Sequence, residues 1–215
     1  MRTLGATAIS YVLDSPPQSP QWQAFPEQRH HLLSSLGFQI ARNTNRFAYD
    51  LTPLPEPVAE RLIYRSLPDV GTDALLIAIE QVSVGTPDQL IQQHRTTYGA
   101  EGAAQLMLSI LQNMEYDPAW WQLAYTADGV LVGLVMPTKS LTVGTIGYIG
   151  VVPEQRGLGY SHDLLVRGTA TLHAAGISVI RADADVDNEP MAKAFRRAGY
   201  TQAGTRREYQ LTHTA

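Results

Sequence analysis

The stretch Val151-Val152-Pro153-Glu154-Gln155-Arg156-Gly157-Leu158-Gly159-Tyr160-Ser161 constrains this chain more than any other. A strand signal rich in Ile, Val and Tyr runs over Gly144–Val152, and Pro153 lacks the N–H that would continue its ladder. A helical pattern opens at about Tyr160 and runs to Ala175, with Leu164, Leu165, Gly168 and Leu172 on one face. The glycines between them allow positive φ and close approach of a ligand to the main chain. The start of a helix adds unpaired N–H groups and the positive end of its dipole, so the loop suits a phosphate or pyrophosphate. Read as Gly-x-Gly-x-x-Gly it would be a dinucleotide fingerprint, with Asp183 or Asp185 closing the next strand. His162 stands at the third glycine's place, however, and the first glycine lies too far from the strand. No Gly-Lys-Ser/Thr follows, which excludes a Walker loop, and a plain strand-to-helix turn is the other reading of the glycines alone.

The elements around this loop predict a mixed α/β layer protein. Upstream come a strand over Leu62–Leu67, a helix over Thr72–Val82, and two more amphipathic runs over Pro87–Tyr98 and Ala103–Met114. Trp121–Thr126 and Val130–Met136 flank Asp128-Gly129, a strong hairpin signal. Downstream are a strand over Ser178–Ala184, a helix over Pro190–Ala198 with Pro in its first turn, and a strand over Thr201–Thr212. Before all of these, Thr52–Pro57 carries three prolines and reads as a linker. The first segment (Ile9–Asp14 as strand, Glu27–Leu36 as helix, Gly37-Phe38, then a strand ending Arg46-Phe47-Ala48-Tyr49-Asp50-Leu51) runs in the same order as the end of the chain. That end has Gly199-Tyr200 and then Arg206-Arg207-Glu208-Tyr209-Gln210-Leu211, so the first segment reads as a degenerate copy of the last β-α-β unit. Two unrelated β-α-β pieces are the alternative. The division expected is therefore a fragment over 1–52, a linker over 53–59 and a main domain over 60–215. The fragment should pack on its own chain's sheet or across a dimer, so either a monomer or a homodimer is expected.

Charge and composition narrow the function classes. Charged residues are 17% of the chain and the net charge is −4, which argues against a disordered polyampholyte and against a basic nucleic-acid binder. The absence of Cys removes thiol nucleophiles, thiolate metal sites and disulfides. No cationic start precedes a long apolar run, and no stretch approaches the ~18 apolar residues of a membrane span. A cytoplasmic protein without metal, membrane or nucleic-acid partner is the expectation.

The pattern Val-x-Pro-x-x-Arg-Gly-x-Gly resembles the acetyl-CoA pyrophosphate loop of GCN5-related N-acetyltransferases (GNAT), with Arg156, Gly159 and Ser161 at its defining places. A second block of that family is similar to Asn188, Met191-Ala192, Phe195 and Gly199-Tyr200, in the matching order and spacing. The resemblance implies the GNAT fold, a mixed β-sheet flanked by helices, and acetyl transfer from acetyl-CoA to a small-molecule amine or peptide. It implies that main-chain groups of Ile149 and Val151 pair with the pantetheine arm as an added strand would. Amides from Arg156 through Gly157, Leu158, Gly159 and Tyr160 to Ser161 would cradle the pyrophosphate. Asn188 and Phe195 would lie near the thiol end, which would sit where the strand through Ile149 splays from the one through Ala182.

Catalysis departs from the family pattern. The usual Tyr acid is replaced by Phe195, and Thr145–Val152 contains no acidic residue. Asp183 and Asp185, on one face of a strand by period two, are the candidate general bases, and Tyr148 is the candidate acid. A strand-end or helix-cap role is the alternative for the two aspartates. Trp120-Trp121 read as hairpin core or as a pocket wall, His162 and His173 as surface residues, and His30-His31 as part of a solvated helix face. Arg196-Arg197 solvate a helix or meet the 3′-phosphate of CoA. A non-catalytic acyl-CoA-binding module is the first rival function, and an NAD-dependent oxidoreductase the second.

Overall fold

The computed structural model describes residues 8–19, 21–50, 61–140 and 143–212. The linker expected over 53–59 lies outside the described residues, as does Leu51. Eight strands form one sheet: β1 (Ala8–Ser15), β2 (Gln39–Asp50), β3 (Ile63–Ser66), β4 (Gln122–Tyr125), β5 (Leu131–Lys139), β6 (Gly144–Val151), β7 (Val179–Asp185) and β8 (Thr201–Thr212). The helices are α1 (Pro26–Ser35), α2 (Leu67–Val82), α3 (Gln89–Gln112), α4 (Tyr160–Ala174) and α5 (Glu189–Arg197). Gly71 and Gly99 break α2 and α3 with left-handed φ, so the two expected runs over Pro87–Tyr98 and Ala103–Met114 are halves of one kinked element.

The mixed α/β architecture expected from the pattern is present. The strand order is β1-β8-β2-β7-β6-β5-β4-β3, and every neighbouring pair is antiparallel except β6 with β7. Alternation along the strands builds a core on each face. On one face Leu164, Leu165 and Leu172 of α4 and Phe195 of α5 pack against Val135, Ile146, Val151 and Ala182. On the other, Leu75 and Ile79 of α2 and Leu108 and Leu111 of α3 cover Trp121, Leu123, Leu134 and Tyr148. Trp121 is thus core: its indole N–H donates to Pro137 O at 2.9 Å, and its ring stacks on Tyr116.

The N-terminal segment joins the same chain's sheet, and it does so from inside. β2 inserts between β7 and β8, and β1 closes the edge beyond β8. The order β1-β8-β2-β7 makes the units β1-α1-β2 and β7-α5-β8 interleave, each placing its second strand between the two strands of the other. Aromatic pairs seal the join, with Phe47 stacked on Phe195 at 4.8 Å and Tyr49 tilted on Tyr200 at 5.2 Å. A small third cluster of Leu13, Leu33 and Tyr209 holds α1. His30 accordingly turns inward rather than to solvent, its Nδ1 lying 2.8 Å from the Tyr209 hydroxyl.

Candidate functional site

The site begins where β6 and β7 part. Their parallel ladder has two rungs, Gly144 with Ile180 and Thr145 with Arg181, and none is recorded farther along. At the same place β6 carries an extra residue: its register to β5 shifts between Met136 opposite Tyr148 and Pro137 opposite Ile146, leaving Gly147 unpaired. A bulge re-aims side chains and main-chain groups locally. A Cβ at Gly147 would lie 2.8 Å from Leu111, so glycine lets α3 approach here. Tyr148 then faces the α2/α3 side and Ile149 the α4 side, the opposition expected from alternation.

The glycine-rich loop follows directly. Pro153–Gln155 form one turn of 3₁₀ helix, and Gly157 and Gly159 both adopt φ of 82°, Gly159 as the residue preceding α4. Among the described residues no acceptor takes a hydrogen bond from the amides of Gly157, Leu158 or Gly159. Three unsatisfied amides at a helix N-terminus form an anion-binding concavity. Arg156, counted with the loop from sequence, spends its side chain elsewhere. Its guanidinium donates to the carbonyls of Val151, Val82, Val84 and Gly85 at 2.6–3.1 Å. It thereby places its charge on the negative end of α2 and latches the loop to that helix. Arg61, unremarked in sequence, lies beside the loop: it bonds Leu158 O, pairs with the buried Asp163 at 2.6 Å and covers the Tyr160 ring.

On the α3 side the parted strands open into a cavity of about 690 Å³. Met107, Ile110, Leu111 and Met114 of α3 make an apolar wall, and Thr145, Gly147 and Tyr148 border the opening. The facing wall is charged, with Arg42 and Arg46 from β2, Arg181 and Asp183 from β7, and Arg206 from β8. Three of these arginines are held by acids. Arg42 binds Asp185 at 2.7 Å and Asp88 at 2.9 Å; Arg46 bridges Asp14 and Asp183; Arg206 grips Asp14 with two bonds.

The two sequence-predicted aspartates therefore differ. Asp185 is 1% exposed, and its oxygens take Arg42 Nε and the Gln89 amide, so it ties β7 to β2 and α3. The side chain of Asp183 is 27% exposed and borders the cavity. Its Oδ1 accepts from Arg46 Nε at 3.1 Å, while Oδ2 takes no hydrogen bond among the described residues and lies 4.0 Å from Arg206 Nη1. Tyr148 is buried, and that burial, reinforced by Asp88, pushes its phenol far above the ordinary value. Asp88, which caps α3 by accepting from the Ile91 amide, is itself raised, chiefly by desolvation. The second sequence block takes structural roles: Asn188 Oδ1 caps α5 on the Met191 amide, and Phe195 is enclosed between Phe47 and Tyr200. Asp88, Arg181 and the arginine–aspartate lattice escaped sequence reading. The available signal was the alternation Arg181, Asp183, Asp185 on one strand face, which placed a cation beside the candidate bases. Among the described residues no cluster of His, Asp or Glu could hold a metal ion, and no helix is long and apolar enough to cross a membrane.

Comparison with known proteins agrees with this geometry. The model of the Acetyltransferase (GNAT) family matches residues 88–200. Mycothiol acetyltransferase from Arthrobacter sp. (strain FB24) is 31% identical over 93 residues, 40% of this chain and 29% of that protein. The chain thus spans under a third of the length of that relative. Among solved structures, a GCN5-related N-acetyltransferase from Sphaerobacter thermophilus superposes with a TM-score of 0.69 at 20% identity, covering 95% of this chain and 59% of that one. A tandem GNAT protein from the clavulanic acid biosynthesis pathway gives 0.60 at 14% identity, covering 100% of this chain and 66% of that one. These two likenesses establish the fold.

Proposed function

The chain belongs to the GNAT acetyltransferase family, and on that premise we propose that it transfers acetyl from acetyl-CoA directly to an amine seated in the cavity on the α3 side. The observation that carries this reading is the coincidence of three features on one strand: β6 parts from β7, bulges at Gly147, and runs into a loop with three unsatisfied amides. Acetyl-CoA fits these residues. The amides of Gly157, Leu158 and Gly159 receive the pyrophosphate, and Arg61, paired with Asp163, holds Leu158 of that loop in place. The side of β6 that faces away from β5, around Ile149 and Val151, accepts the pantetheine arm as an added strand. That course leads the thioester to the bulge, where the main chain beside Gly147 is free to polarise its carbonyl.

The protein's own groups then handle protons. Asp183 Oδ2, across the opening, takes the proton released as the amine nitrogen bonds the acyl carbon. Tyr148, kept protonated by burial, donates to the thiolate as the C–S bond breaks and recovers a proton through solvent. No covalent enzyme intermediate is needed, consistent with a chain that lacks Cys. Phe195 has no hydroxyl and sits in the core on α5, so the acid role passes to Tyr148 on β6.

Melting of the protein with acetyl-CoA, beside NAD and ATP, tests the donor. A ligand at about 100 times its dissociation constant stabilises by about 2.7 kcal/mol, several degrees for a chain of this size. Release of CoA thiol with a panel of amines tests the transfer. A shift with NAD and none with acetyl-CoA would refute the reading. A shift with acetyl-CoA but no thiol release with any amine would make the protein a binding module.

A further inference from the structure

We infer that the amine accepted by this site also carries a carboxylate, separated from its nitrogen by several bonds and bound by Arg181; the inference rests on the acetyl-transfer reading above. Of the four arginines on the charged wall, Arg42, Arg46 and Arg206 are neutralised by Asp14, Asp88, Asp183 and Asp185. Arg181 has no carboxylate partner among the described residues. Its Nη1 rests on the neutral amide oxygen of Gln18 at 3.0 Å, and that amide is fixed in turn by Gln18 Nε2 donating to Ala203 O at 2.9 Å. A guanidinium kept without a counter-ion at a cavity wall, and held by a neutral group, is suited to an incoming anion.

Position sets the class of ligand. Arg181 stands at the last rung of the β6–β7 ladder, at the closed end of the opening. Asp183 lies two residues on along the same strand face, its Cα about 7 Å from that of Arg181, opposite the bulge where acyl transfer takes place. The acceptor's nitrogen belongs near Asp183 Oδ2 and its carboxylate near Arg181. An α-amino acid is too short to reach both, whereas a dipeptide or an ω-amino acid of moderate length spans them. The methylene or side-chain portion between the two charges lies against Met107, Ile110, Leu111 and Met114. The other arginines of the wall already hold carboxylates, so among the described residues Arg181 is the one left to take an incoming anion directly.

The test compares γ-aminobutyrate, δ-aminovalerate and ε-aminocaproate with their methyl amides, following CoA release from acetyl-CoA. We expect the free acids to exceed the amides in kcat/KM by about 10- to 100-fold, the value of a charge-assisted contact, and to favour the longer members. Arg181→Met should bring that ratio toward one, and Arg181→Lys, which keeps the charge without the fork, should fall between; melting curves verify that both variants fold. Equal rates for acids and amides in the native enzyme would overturn the inference, as would a ratio that survives in Arg181→Met. If no amine releases CoA, acetyl transfer itself fails, and melting reads the anion site directly. Stabilisation by ε-aminocaproate but not its amide, lost in Arg181→Met, would then support the site, and the absence of any difference would refute it.

Discussion

At the scale of single residues, the two ends of one loop do different work. Gly159 opens the anion cradle, and Arg156 anchors it to α2 by satisfying four carbonyls. The paired variants should separate these roles. Arg156→Met leaves those carbonyls without a donor, and we expect it to destabilise by about 2–3 kcal/mol, a fall of several degrees in Tm, and to weaken acetyl-CoA binding as the loop loosens. Gly159→Val places a branched Cβ at a left-handed position on the ligand's approach. It should abolish the acetyl-CoA-induced melting shift while costing only about 1–2 kcal/mol in the free protein. Normal acetyl-CoA binding by Gly159→Val would show that the pyrophosphate lies elsewhere. The loop glycines were legible in sequence because positive φ has few occupants. The occupation of Arg156 was not, since Val82, Val84 and Gly85 lie at the end of α2 and in the turn after it, some seventy residues away.

At the scale of elements, two buried tyrosines couple the sheet to its helices. Tyr148 packs under α2 and α3, and Tyr200 bonds Thr169 of α4 at 2.6 Å between their hydroxyls. Burial raises both phenols far above the ordinary value of about 10. The unfolded chain therefore loses these protons first as pH rises, and the folded state holds more of them. Their contribution to stability is complete below the unfolded value, and it is lost as pH climbs through the folded one. We expect the denaturant midpoint to fall steeply above about pH 10, with Tyr148→Phe and Tyr200→Phe each flattening that limb. An alkaline limb unchanged in both variants would refute this account. Element identities were largely readable beforehand: the hairpin over β4 and β5, α4 and α5 fall within a few residues of their patterns. The kinked α3 reads as two helices in sequence because Gly99 and Gly102 interrupt its helical pattern.

At the scale of the whole molecule, the N-terminal segment is an interior part of the sheet. β2 contributes Phe47 to the core under α5, and with β1 it supplies Asp14, Arg42 and Arg46 to the charged lattice. Deleting residues 1–50 should therefore abolish cooperative unfolding, since β8 would lose both neighbours and Phe195 its stacking partner. Ala8 pairs with Thr212, so the two ends of the described chain lie side by side. A permuted chain that starts at residue 61, joins its old ends through a short loop and stops at residue 50 should melt cooperatively within a few degrees of the native protein. A soluble, cooperatively melting deletion, or an unfolded permutant, would contradict the interleaved topology.

What the sequence determined by itself was local. Periodicity, the Asp128-Gly129 turn, the helix-start signals and the glycine loop depend on neighbours along the chain, and they sufficed for the α/β class and the anion-suited loop. The order of strands and the cavity beneath α3 were decided only in three dimensions. Strand pairing and ion pairing join residues far apart in sequence, such as Asp14 with Arg206 and Arg42 with Asp185. Nothing in the local pattern of β7 distinguishes Asp183, which borders the cavity, from Asp185, which is enclosed. That difference arises when β2 enters the sheet beside β7 and its arginines, with α3, take up the other acid.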